Sequence, residues 1–220
     1  KYSDNYAAWK TADSRVLPMN QVQMEAARLA LSEWANVANL NFVEVEEKND
    51  EVGEIRFAFS DSQLIFPQSN VWGMGGMPGI FPVSGDVWIN SEIRELEDWA
   101  AGSSFEFSAL IHETGHALGL DHPHEGVDRL PQWQDQTNYT VMSYNDPDRA
   151  YWTGANGKSW DYLISYTPMV LDIAAIQYIY GPSVYNHDDT TYRFDTARPF
   201  ARSIWDSGGT DTLDFSNFDN

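Results

Sequence analysis

A chain of 220 residues with 42% hydrophobic content is long enough for one good-sized domain with a real core, which argues against disorder. Its 33 acidic and 13 basic residues give a formal net charge of -20, and nucleic acid, which is held by clustered Lys and Arg, is excluded as a partner. With no cysteine, disulfides and thiolate metal sites are excluded too, and no apolar run approaches the ~18 residues of a membrane span.

In chain order, the N-terminus lacks the charged-then-apolar pattern of a signal peptide. Met24, Ala27, Leu31 and Trp34 recur at three- and four-residue intervals, with Asn20 and Gln23 as a capping pair, which predicts an amphipathic helix over 19–38. Period-two alternation over Asn41 to Glu46 and Glu54 to Phe59 predicts two half-buried strands, with Lys48 to Gly53 as the polar connection. Val71 to Gly85 is rich in Gly, Met and Pro, which suits a bulged edge strand or irregular loop, and Asp86 to Asn90 reads as a short strand. Ser103 or Ser104 caps a helix running through Phe107, Leu110, Ile111 and Leu118 to Gly119. Residues 123–166 read as a long ordered loop. Thr167 as cap, Pro168 at the first position and an apolar face of Leu171, Ala174, Ala175 and Tyr178 predict a last helix that ends at Gly181.

The chemistry sits on the second of these helices. In His112-Glu113-Thr114-Gly115-His116 the two histidines are four residues apart, so both rings share one face and reach one metal ion. Zinc suits neutral imidazole, and catalytic sites use three protein ligands with a further position left for water. Glu113 stands beside the metal, where it takes a proton from that water. Gly119 lets the chain turn back, and His122 then arrives from another direction as third ligand. His124 and His187 read as exposed histidines without a role.

The extended pattern His112 to His122, followed by Tyr139-Thr140-Val141-Met142-Ser143-Tyr144, resembles the metzincin zinc proteases. Pro123 after the third histidine, and the form of the methionine turn, are similar to the serralysin family, and Pro123 disfavours a narrower astacin- or matrixin-like protease. The resemblance implies that Met142 forms an apolar floor under the zinc and that Tyr144 is a displaceable ligand. It also implies that Val71, Trp72, Gly73, Met74, Gly75 and Gly76 belong to an edge strand that pairs with extended substrate, although Gly-Met-Gly-Gly departs from the family's usual form. Trp205 to Phe215 looks like the serralysin entry into a calcium-binding β-roll. On that likeness Asp206, Gly208 and Asp211 would bind calcium with carbonyls of Asn186, Asp188 and Thr190.

The expectation is therefore an α+β metzincin domain, with a twisted, mostly parallel sheet and long helices. It comprises a catalytic unit over 1–181 and, over 182–220, the start of a calcium-binding region whose remainder is absent. The implied function is that of a secreted, monomeric zinc endopeptidase acting on proteins or peptides, with zinc and calcium as cofactors. A proteinaceous inhibitor is an additional expected partner, and neither membrane nor nucleic acid is. The alternative is a catalytically inactive zinc- and calcium-dependent binding or adhesion module, against which the intact Glu113 argues.

Overall fold

The computed structural model describes residues 15–47, 52–68, 70–96, 99, 104–147, 151–153, 160–194 and 201–218. Two details expected from the sequence, most of the 48–53 connection and Ser103 as a cap, lie outside them. Among the described residues no helix is long and apolar enough to cross a membrane.

Helix α1 spans Gln21–Val37, and its start is the expected capping box: Asn20 Oδ1 accepts the Gln23 N–H while Gln23 Oε1 accepts the Asn20 N–H, both at 2.9 Å. Its buried stripe is turned from the expected one. Gln23, Ala26, Ala27, Ala30, Trp34 and Val37 face inward and Met24 is exposed, because Gln23 Nε2 reaches inward to the Arg94 carbonyl at 2.7 Å. Trp34 Nε1 donates to Ile111 O at 3.1 Å, which satisfies its buried N–H and ties α1 to the next helix.

The main sheet contains β1 (Val16–Leu17), β2 (Arg56–Ser60), β3 (Gly73–Gly75) and β4 (Asp86–Asn90) in the order β1-β2-β4-β3. Only β2 and β4 pair in parallel, in a register where the Arg56 guanidinium meets the Asp86 carboxylate at 2.8 Å. The α+β class holds, but the sheet is mixed rather than mostly parallel among the described residues. The reason is connection length: β3 returns to β4 through the turns of 76–85, and so short a link joins strands antiparallel. Residues 41–47 carry no strand. Val43 and Val45 are exposed, only Phe42 packs against the core, and Arg28 pairs with Glu44 at 2.9 Å across from α1.

Helix α2 spans Phe105–Ala117, with Ser104 Oγ accepting the Phe107 N–H at 3.1 Å, and it buries Phe107, Leu110 and Ile111 against Trp34, Val87 and Ile89. The expected long loop contains an antiparallel pair, β5 (Tyr151–Thr153) with β6 (Trp160–Tyr162). Helix α3 spans Val170–Tyr180 and starts later than expected. Thr167 is not its cap, since its hydroxyl accepts the Ser203 N–H at 3.0 Å, and the Asp172 carboxylate takes the Met169 N–H at 2.7 Å instead. Its inward residues are Asp172, Ile173 and Ile176, whereas Tyr178 is 92% exposed. A helix that is apolar nearly all round does not announce its face. Gly181 is pinned to the end of α1 by Asn39 N–H to Gly181 O at 2.9 Å. Beyond it β7 (Thr191–Arg193) pairs in parallel with β8 (Thr212–Asp214).

Candidate active site

His112 and His116 project from α2 on one face, one turn apart, as their spacing requires. Each ring is oriented by a backbone carbonyl: His112 Nδ1 lies 2.8 Å from Val141 O, and His116 Nδ1 lies 2.7 Å from Leu120 O. A carbonyl only accepts, so both Nδ1 atoms carry the proton and both Nε2 atoms present lone pairs. Gly119 makes the third arm possible. Its φ of +103° is open to glycine, and it lets the chain reverse so that His122 faces the pair.

The three Nε2 atoms then stand 3.2, 3.2 and 3.0 Å apart. His112 and His116 have no proton to share between those atoms, so their 3.2 Å approach is no hydrogen bond but a convergence of lone pairs. Zinc at ~2.0–2.1 Å with tetrahedral angles would set its nitrogens about 3.4 Å apart, close to what is seen. Burial, then the neighbouring His116, lowers the His112 pKa to about 3, and burial lowers His116 as well. Both rings are therefore neutral near pH 7, the form that binds metal. The residues present fit a zinc ion.

Glu113 is buried beside the triad under β3. The β3 backbone lies directly on α2: a Cβ at Gly73 would fall 2.5 Å from Glu113 Cγ, and one at Gly75 would fall 2.2 Å from the Glu113 carbonyl oxygen. This close approach accounts for Gly73 and Gly75, whereas a Cβ at Gly76 would fall 2.1 Å from the Val83 carbonyl oxygen. The Gly75 N–H beside the Glu113 carboxylate acts to lower its pKa, but burial outweighs that effect and pushes it up to about 8. In the metal-free chain this carboxyl keeps its proton near neutrality, and a cation held by the adjacent triad would favour the ionised form that accepts one. Among the described residues β3 is the last strand in the sheet order, so its outer edge pairs with no further strand.

The turn after the histidines closes the site from below. Met142 is 2% exposed, and a Cβ at Gly115 would fall 2.6 Å from its sulfur, so the thioether lies against the stretch of α2 between the two histidines. Tyr144 is 65% exposed, with its phenol oxygen 2.6 Å from His122 Nε2 and its ring stacked 5.5 Å from His112. Partial burial, then the charges of Glu113 and Glu125, pushes Tyr144 up to about 12, so in the metal-free chain it keeps its proton.

Sequence reasoning missed two buried carboxylates that peg this turn. Asp172 accepts from Thr140 Oγ1 at 2.5 Å and from Val141 N–H at 2.7 Å, which sets the carbonyl that orients His112. Asp135 accepts from Ser143 Oγ at 2.6 Å and from Asn145 Nδ2 at 2.7 Å. Neither has a sequence signal beyond an acid within an apolar or turn-rich stretch. His124 is not exposed as expected: it is half-buried, stacked 5.2 Å from His122 and 5.1 Å from Tyr144. His122, His124 and Glu125 offer ligand atoms within 4.8 Å of one another. The two rings are stacked only 11° from parallel, so their in-plane lone pairs do not converge on one ion.

The residues assigned to calcium lie elsewhere. Pairing of β7 with β8 sets 186–190 beside 206–211, where Thr190 N–H donates to Asp211 at 3.0 Å and Gly208 N–H donates to Asp206 at 2.9 Å. His187 is exposed, as expected.

Among known proteins, the chain is 32% identical to Serralysin C of Dickeya chrysanthemi over 237 residues, which cover 100% of this chain and 49% of that one. It is 33% identical to Serralysin B of the same organism, covering 90% and 44%, and 30% identical to a serralysin of Photorhabdus laumondii, again 90% and 44%. The chain thus spans about half the length of the curated relatives it matches. These relatives carry the name toward which Pro123 pointed, while the matching family model, an M10 peptidase model described as Matrixin, covers residues 1–148. Since that match takes in most of the chain and contains the whole histidine triad, the chain belongs to the matrixin family of M10 peptidases.

Proposed function

We propose that this chain is the catalytic part of a secreted zinc endopeptidase that hydrolyses internal peptide bonds of proteins. The observation that carries the reading is the convergence of three Nε2 atoms within 3.2 Å, with the buried carboxyl of Glu113 alongside. His112, His116 and His122 would hold the ion. When bound, zinc supplies a Lewis acid that polarises a carbonyl and lowers the pKa of water to ~7.

The chain's own groups do the rest. The backbone of 71–76, on the free side of β3, pairs with an extended substrate and so accepts many sequences. Glu113 takes a proton from the attacking water and hands it to the leaving amine. Tyr144, rotated away from His122, donates a hydrogen bond to the oxygen that gains charge on the scissile carbonyl. Met142 gives the histidines an apolar floor. We assign Asn186, Asp188, Thr190, Asp206, Gly208 and Asp211 to a calcium site. In support, carboxylates crowd these two adjacent loops, and Arg193, their nearby cation, is already paired with Asp214 at 3.0 Å. Residues 1–181 form the catalytic unit and 182–220 begin the calcium-binding region. A monomer that meets protein substrates, and a proteinaceous inhibitor, outside the cell completes the reading.

The test is the Glu113→Gln protein. It should carry as much zinc as the parent and digest casein at least ~100-fold more slowly. Comparable digestion by that variant removes the general base. A parent chain that holds zinc yet digests nothing, with or without chelator, would be a metal-dependent binding module instead.

A further inference from the structure

We infer that Asp135 is a positioning residue for Tyr144: its buried carboxylate fixes the backbone on both sides of that tyrosine and thereby sets where the phenol stands over the histidines. The inference rests on reading the triad as a metal site, but its geometry is independent of any catalysis. Tyr144 is 65% exposed, so the rings of His112, His122 and His124 beside it cover only part of it and do not enclose it. What places its oxygen 2.6 Å from His122 Nε2 is the path of the chain through 143–145.

That path is clamped from one point. Asp135, 6% exposed, takes Ser143 Oγ–H on one oxygen at 2.6 Å and Asn145 Nδ2–H on the other at 2.7 Å, the two residues flanking Tyr144. Ser143 Oγ accepts the Asn145 N–H at 3.0 Å, and Asn145 O accepts the Thr137 N–H at 2.8 Å, which closes the clamp onto the loop that carries Asp135. His124 Nδ1, buried with no hydrogen-bond partner among the described residues, lies 3.6 Å from the same Asp135 oxygen, and its ring rests 5.1 Å from Tyr144. Hydrogen bonds to an ionised acceptor are the strong class, and a buried carboxylate that has them holds its donors in one geometry. With both flanks fixed, Tyr144 leaves and regains the triad by side-chain rotation alone. The same clamp therefore fixes its metal-side position and the one from which it would reach a substrate oxygen.

The experiment loads the whole chain with copper(II), because a tyrosine oxygen on copper gives a visible charge-transfer band that imidazole ligands do not. Asp135→Ala should fold and bind copper fully, yet lose about half or more of that band. With zinc and a peptide substrate its kcat should fall by about 10- to 100-fold while KM stays within about threefold, the pattern for a group that supports the reacting state through another residue. Asp135→Asn, which keeps one acceptor, should recover part of both. Should Asp135→Ala not fold, Asn145→Ala removes a single arm and is expected to weaken the band and lower kcat by about 2- to 10-fold. A folded Asp135→Ala or Asn145→Ala protein with the parent's band and kcat overturns the inference. So does Asp135→Ala that folds but binds no copper, because its role would then be general support of the histidines. The band needs no substrate, so a chain that never cleaves peptides still tests Asp135, while Glu113→Gln tests the hydrolase reading.

Discussion

Two of the three metal-facing imidazoles are fixed by what their outer nitrogen meets, and the third is not. His112 and His116 are held by carbonyls of Val141 and Leu120, whereas His122 Nδ1 has the Glu125 carboxylate 3.3 Å away, outside hydrogen-bond geometry. His122 is thus the least constrained arm of the triad and the one Tyr144 contacts. Tyr144→Phe should lower kcat by roughly 10- to 1,000-fold with zinc content unchanged, measured by metal analysis beside peptide kinetics. An emptied site would mean that the phenol serves as a structural ligand. Gly115 lies against Met142: Gly115→Ala drives a methyl group toward the sulfur and should cost about 1–3 kcal/mol in urea unfolding. No loss would show that the floor is loose.

At the scale of elements, α3 offers a direct comparison. Ile176→Ala should destabilise the chain by about 2–5 kcal/mol, while Tyr178→Ala should change stability by under ~0.5 kcal/mol, and urea midpoints of the two variants decide it. The sequence showed that a helix was present but not which side is inward, because hydrophobic residues surround it. The start of α1 was legible to the residue, since Asn20 and Gln23 satisfy each other locally. The triad was legible for the same reason, being set by helical spacing and one glycine. Asp135 and Asp172 were not, because, Met169 apart, their partners lie 8 to 32 residues away and only the fold brings them together. Burial pushes Asp172 up to about 6 against its three donors. The folded chain therefore takes up this proton as pH falls through about 6, and the unfolded chain does so only near ~3.9. The contribution of this group grows on mild acidification and is lost as pH rises through 6. In metal-free protein, the stability advantage of the parent over Asp172→Asn should widen by about 1 kcal/mol between pH 7 and pH 5. A constant or shrinking advantage contradicts it.

On the scale of the whole molecule, α2 is the hub: α1 packs on one side of it through Trp34, β3 lies along its metal-bearing stretch, and the methionine turn closes beneath. The β7–β8 pair stands apart from that core, with Leu213 and Phe215 exposed and carboxylates dense in its loops. Removing calcium by chelation, in protein whose zinc is then restored, should lower the Tm and expose 186–211 to cleavage before it touches α2; an unchanged Tm would withdraw the calcium assignment. Everything in the functional reading depends on peptide cleavage following occupancy of the triad. The direct measurement is casein digestion as zinc is returned stepwise to the metal-free chain. Activity should rise in proportion to bound zinc and level off near a single ion per chain. Digestion that persists without metal, or that never appears once the triad is full, would contradict it.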